Sequence, residues 1–322
     1  MKLDKLYHRV IEVGIKNDPR GKGEVGRLLK EEIEKHQALK PKEARYYDKD
    51  RLFNPYGDTR VLNGALETSV RRVIVGIDME GAEILLTYLL NRDFDRKIDL
   101  ILAHHPEGYA QARLGDVMKV QADILAAYGV AVSAAEQLMD KRISEVERRL
   151  MPINHNRAVD MARALNLPFM CVHTPADNCV NTYLQKMIDK AEPLKLRDLI
   201  GMLGDIPEYQ ASSRLQVPPK IVHGSEHGRC GRVLVDMTGG TEGSKDVYAR
   251  LSSEGLSTIV GMHMSEEHLE NAKKANVNVV IAGHIASDAL GLNLMFDEVE
   301  AEDSLEFVSV SGFERIRHSK KR

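Results

Sequence analysis

The chain has 322 residues, 43% hydrophobic and 29% charged, which is enough for a real core in two ordinary domains or one large domain with an insertion. A net charge of −3 gives no general pull toward nucleic acid or anionic membrane, and aromatic residues at 5% with no Trp argue against stacking platforms for single strands. No apolar run reaches the length of a membrane span, and the N-terminus MKLDKLYHRV lacks the apolar middle of a signal peptide. Cys171, Cys179 and Cys230 make neither a paired framework nor a zinc-knuckle spacing, so the chain is expected in a reducing cytoplasm.

Residues 1–60 read as a helical, charged extension. Leu3, Leu6, Tyr7, Val10 and Ile11 share one helical face, and Val25, Leu28, Leu29 and Ile33 share another, with a turn at Asn17-Asp-Pro-Arg-Gly21 between them. The first α/β unit opens at Arg71 with a β-branched run ending in Asp78-Met79, and a helix is predicted over roughly 82–92. The run Leu100 to Ala103 is a buried-strand pattern, closed by His104-His105-Pro106. A helix over 114–128 and a charged helical insertion over 134–164 follow. The strand Phe169-Met-Cys-Val172 ends in His173-Thr-Pro-Ala-Asp177, with the next helix predicted to begin near Val180.

A last block starts at Gly231 and repeats the first. Arg72-Val-Ile-Val and Arg232-Val-Leu-Val each open a strand, and Asp78-Met79 matches Asp236-Met237. The strand-end His104-His105 of one half is answered by His284 in the other, so the chain is expected to form two like α/β layers whose strand ends share a cleft. The α/β domain is then 61–133 with 165–322, interrupted by the 134–164 insertion.

Three strand ends carry the chemistry. Adjacent residues on a strand point to opposite faces, so His104 and His105 serve one site only at a frayed end where the backbone turns. There each offers a neutral imidazole to a metal. His284 and Asp288 stand four apart after Gly283 and share a face if a helix begins there. Asp177 brings two oxygens able to bridge two ions, against the plainer role of capping the following helix. Such a mixed nitrogen and carboxylate set suits two borderline divalent ions, zinc, iron or manganese. His263 and His155 read as surface or strand-end residues. The Thr238-Gly239-Gly240 turn fits no nucleotide-loop spacing, and its glycines serve a tight turn as readily as an anion site. The basic tail from Arg315 to Arg322 reads as a frayed terminus with no anchor in the core.

His104-His105-Pro106, His173-Thr174-Pro175-Ala176-Asp177 and Gly283-His284-Ile285-Ala286-Ser287-Asp288, in that order, resemble the motifs of the Nif-three-like family, a group that includes proteins described as GTP cyclohydrolase I type 2. The likeness covers roughly residues 58–130 and 165–298. It implies that His104, His105, Asp177, His284 and Asp288 hold a dinuclear metal centre, with His173 beside it as a second support or proton carrier. It also implies a homohexamer and a small-molecule substrate, a nucleotide or phosphate-bearing heterocycle opened by hydrolysis. Asp288 departs from the family's glutamate by one methylene. The competing expectation is a non-catalytic metal-holding scaffold or regulatory partner.

Overall fold

The computed structural model describes residues 1–94, 97–301 and 303–318. Its strands are β1 (Arg60–Asn63), β2 (Arg72–Gly76), β3 (Leu100–Ala103), β4 (Phe169–Cys171), β5 (Lys220–His223), β6 (Arg232–Asp236), β7 (Leu256–Gly261), β8 (Asn278–Ile281) and β9 (Glu306–Ser309). They form a five-stranded sheet in the order β1-β4-β3-β2-β9 and a four-stranded sheet in the order β5-β8-β7-β6.

The two sheets repeat one another down to their register. In each, an antiparallel pair leads into two parallel pairs: β1/β4, β4/β3 and β3/β2 in the first, β5/β8, β8/β7 and β7/β6 in the second. Even the irregularity recurs, between Val61 and Asn63 in the first sheet and between Ile221 and His223 in the second. The expected two like layers are therefore present, although the residue matches differ from those read in the sequence. Gly76 pairs with Ala103 and Asp236 pairs with Gly261, so Asp236 corresponds to Gly76 and not to Asp78. By the same register Met262-His263, not His284, answers His104-His105. His284 belongs one strand later, opposite Thr174, because Cys171 and Ile281 are the matched ends of β4 and β8.

Alternation along the strands sorts the core. Val73, Val75, Leu100, Leu102 and Met170 face one side of the first sheet, while Ile74, Ile101, Ala103, Phe169 and Cys171 face the other. The helices Thr174–Ala191 and His284–Val299 run between the two sheets and contribute apolar residues to both inner cores. They cross closely at Gly291, where a Cβ would stand 2.5 Å from the carbonyl oxygen of Ala176. Gln185, Asn181 and Asn178 on the first of them bond to Val235, Met237 and Thr238, which ties that helix to the edge strand β6.

The helix Leu3–Lys16 buries Leu3, Leu6, Tyr7, Val10 and Ile11 in the same core as β2 and β3. The next helix, Lys22–Gln37, buries only Val25 of its expected apolar face, and Ile33 is exposed. The helix expected near Val180 begins six residues earlier, at Thr174, with Pro175 in its first turn. Proline is suited to that turn because its missing N–H has no intrahelical partner there.

The C-terminal tail is not frayed over residues 315–318. The Arg315 guanidinium, 6% exposed, contacts Asp297 at 2.5 Å and Glu300 at 2.7 Å. His318 lies 2.8 Å from Glu208. The tail lacks an apolar anchor, but Asp297 near the end of the His284–Val299 helix, Glu300 just past it and Glu208 supply a polar one. Residues 319–322 lie outside the described part.

Candidate metal centre

Each functional side chain leaves the end of a strand. His104 and His105 follow β3, and their backbone N–H groups donate to Gly76 and Ile77, which extends the β2/β3 pairing and fixes the turn. His173 is the N-cap of the Thr174–Ala191 helix, with Asp177 in the first turn. His284 opens the other central helix after Gly283, whose φ of 111° suits a residue without a Cβ. Asp288 lies one turn on, as the four-residue spacing requires.

These elements bring all six predicted residues into one cluster. His104 Nε2 lies 3.3 Å from Asp177 Oδ1 and 3.5 Å from Asp288 Oδ1. Asp288 Oδ2 lies 3.5 Å from Nε2 of both His105 and His284. His173 Nε2 stands 3.7 Å from Asp177 Oδ2. Asp288, despite its short side chain, thus faces three imidazoles. Three overlapping sets within the cluster are close enough to hold an ion: His104, His105 and His173; His105, His284 and Asp288; and His104, Asp177 and Asp288.

The outward ring nitrogens are held from behind. His104 Nδ1 lies 3.0 Å from the carbonyl oxygen of Val172, to which it donates, His105 Nδ1 lies 2.7 Å from Asp78, and His173 Nδ1 lies 2.8 Å from Asp58. A proton held at Nδ1 leaves the Nε2 lone pair turned into the cluster, the arrangement typical of metal-binding imidazoles. Asp58 was not singled out from the sequence. It precedes β1, is wholly buried, and also accepts from the Thr174 hydroxyl at 2.6 Å. In the sequence Asp78 stands out only as half of a repeat. His155 is bound to Gln111 and belongs to none of the ion-holding sets. The His263 ring lies tilted against that of His284, with centroids 4.8 Å apart, and His263 also belongs to none.

The electrostatics are those of a charged cluster out of water. Burial disfavours a charged His104, but Asp288 and Asp177 outweigh it and push its pKa up to about 10. Burial acts on Asp288 in the opposite sense, and His104 and His105 overcome it to hold the carboxyl well below the usual range. His173 is raised by Asp177 and Asp58 against the effect of burial. His284 is lowered, mainly by burial.

The donor set fits divalent metal. His104 Nε2, Asp177 Oδ1 and both oxygens of Asp288 are buried with no hydrogen-bond partner among the described residues. Leaving such groups unsatisfied costs about 1–3 kcal/mol each, and more when charged, unless something coordinates them.

Strand-end histidines and carboxylates between two related α/β sheets define a class of protein with a candidate metal centre in a shared cleft. No protein-family model matches the sequence, and no curated protein matches it significantly. In structure, a NIF3 superfamily protein from Sphaerobacter thermophilus is similar, with a TM-score of 0.69 and 25% identity over 80% of this chain and 92% of its own. More remote likenesses are reduced HcgD from Methanocaldococcus jannaschii (TM-score 0.43, 13% identity, 78% and 87% covered) and a Bacillus cereus protein related to NIF3 (0.39, 11%, 90% and 97%). The chain thus shares the fold of NIF3 superfamily proteins. Among its described residues no helix is long and apolar enough to cross a membrane.

Proposed function

We propose that this protein is a metal-dependent hydrolase acting on a small molecule. His104, His105, Asp177, His284 and Asp288 would hold two divalent ions, zinc, iron or manganese, and His173 would carry the proton. The observation that supports this best is the set of four inward-facing buried atoms with no hydrogen-bond partner among the described residues, while the far nitrogens of His104, His105 and His173 are occupied. Bound divalent ions supply a lowered pKa for water and polarisation of the bond under attack. The chain's own residues do the rest. Asp58 and Asp78 orient two imidazoles, and the Asp177 and Asp288 carboxylates, close to His104, His105 and His284, would supply negative charge to the ions. His173 takes a proton at Nε2 while Asp58 accepts from its Nδ1. A nucleotide or related heterocycle, by likeness to the GTP cyclohydrolase type 2 group, and a homohexamer belong to the same proposal.

The test is metal analysis followed by a hydrolysis panel, covering phosphoesters, amides, amidines and nucleotides, with and without chelator. His173→Gln is expected to keep both metals while turnover falls by roughly 10²–10⁴-fold, the usual worth of a positioned acid–base group. A wild type that holds metal and turns over nothing in the panel would replace the hydrolase with the scaffold.

A further inference from the structure

The cleft has a second wall, built by the segment that follows β6. A cavity of about 70 Å³ is bounded by Asp177, His284 and Asp288 on the metal side and by Gly240, Thr241 and Glu242 on the other. By register this segment stands where residues 77–80 stand after β2, since Asp236 takes the place of Gly76. In the first half that position supplies Asp78, the support of His105. In the second half it supplies a turn with two consecutive glycines.

The turn is bound from behind. Gly239 and Gly240 have φ of 97° and 84°, a region that strains any residue with a Cβ. A Cβ on them would also stand 2.6 Å from Gln121 Cγ and 2.9 Å from Val117 Cγ2, so the turn lies directly on the helices Leu114–Val117 and Lys119–Ala127. There the buried Gln121 amide donates from Nε2 to the carbonyl oxygens of Gly239 and Thr241, each at 2.7 Å. Gln121 does not line the cavity, whereas Gly240, Thr241 and Glu242 do.

A trans peptide points its N–H opposite to its C=O. With the carbonyls of the Gly239–Gly240 and Thr241–Glu242 peptides held by Gln121, the N–H groups of Gly240 and Glu242 turn away from that helix and toward the cleft. Neither N–H has an acceptor among the described residues. Two N–H groups left free by a turn that is pinned through its carbonyls make a preformed pair of donors for an oxygen, the kind of backbone arrangement that takes anions without a cationic side chain.

The rest of the cavity gives that pair its use. No Lys or Arg is among the described residues that line it, so a phosphate beside the ions depends on backbone donors. The Glu242 carboxylate is already engaged elsewhere: it accepts from the Ser265 N–H at 2.6 Å and lies 3.8 Å from His268, and neither of these lines the cavity. The remaining carboxylates of the cavity, Asp177, Asp236 and Asp288, carry less charge than two divalent ions.

We infer that the backbone N–H groups of Gly240 and Glu242, aimed by Gln121 as a positioning residue, form a subsite for a phosphate oxygen of the substrate beside the metal centre. This rests on the hydrolase reading for its purpose but not for its test. Binding of inorganic pyrophosphate, and of acetohydroxamate as a ligand for the ions alone, is measured by calorimetry on the full chain supplied with zinc, with zinc content determined for every protein. The wild type should bind pyrophosphate. Gln121→Met and Gln121→Leu, which keep an apolar body in place and remove the donor, should each weaken pyrophosphate by about 10-fold or more, the worth of one hydrogen bond to a charged group. Zinc content and acetohydroxamate affinity should stay unchanged, which a general loosening of the fold would not allow. No binding of pyrophosphate by the wild type, equal pyrophosphate affinity in wild type and both variants, or parallel weakening of pyrophosphate and acetohydroxamate would overturn the subsite. Pyrophosphate binding that depends on Gln121 in a protein with no hydrolytic turnover would leave the subsite standing and remove the hydrolase.

Discussion

Asp58 and His173, 115 residues apart, meet with Oδ2 at 2.8 Å from Nδ1, the carboxylate wholly buried and the imidazole nearly so. Burial would raise the pKa of Asp58, but the contact with His173 and the Thr174 hydroxyl lower it, so the carboxylate stays charged and fixes the imidazole's tautomer. Asp58→Asn keeps the shape and removes the charge. It is expected to leave metal content unchanged while turnover falls by roughly 10²-fold, because Asp58 holds the proton carrier His173 and none of the proposed ligands. Elemental analysis beside the hydrolysis assay measures this, and unchanged turnover would show that Asp58 only fills space.

Asp288 and His105 differ in how many members of the cluster they face. Asp288 faces His104, His105 and His284 within 3.5 Å, whereas among the carboxylates of the described residues His105 Nε2 faces Asp288. Asp288→Ala should lose both metals, since it removes a carboxylate that faces three imidazoles of the set and would offset the repulsion of two cations. His105→Ala should fall toward one metal per chain. Equal metal content in the two variants, read by elemental analysis, would contradict this division.

The pH dependence of metal binding follows from His104. In the metal-free chain its pKa of about 10 keeps it protonated, so an ion entering the cluster must displace that proton. Zinc affinity should therefore rise about 10-fold per pH unit between about 6.5 and 8.5, and a flat profile would exclude His104 as a ligand. The stability of the metal-free protein should run the other way. The contribution of His104 is complete below its unfolded pKa of about 6.5 and fades as pH rises through about 10. That of Asp288, lowered in the fold, is present above its unfolded pKa of about 3.9 and is lost on acidification through its depressed native value. Denaturant midpoints across this range test the sign.

Removing residues after Phe313 leaves Asp297 and Glu300, both nearly buried, without the Arg315 guanidinium, and Glu208 without His318. Stripping one partner from a buried pair costs about 3–5 kcal/mol. The truncated chain should unfold at lower denaturant while retaining its metals, because none of these groups belongs to the cluster. An unchanged midpoint would show that the tail contributes nothing, and loss of metal would show that it holds the His284–Val299 helix in place.

The sequence by itself determined what depends on short spacing. Apolar runs before His104, His173 and His284 place those residues at strand ends, and a four-residue step puts Asp288 on the same helical face as His284, because strand and helix periodicities act locally. The order of the motifs was enough to suggest the family and the six residues that converge. Tertiary structure decided what depends on pairing between distant segments. Asp58 lies in a stretch that reads as a charged helical preamble, and nothing in its neighbours announces that β1 will run antiparallel to β4 and deliver it to His173. The match of His263 to His105 is likewise invisible in the sequence. It is set by interstrand hydrogen bonds between β6, β7 and β8, whose register is fixed by which faces are buried, and a shift of a single residue would reverse those faces. The tail's docking depends on carboxylates at the end of a helix that is buried only once both sheets have closed around it.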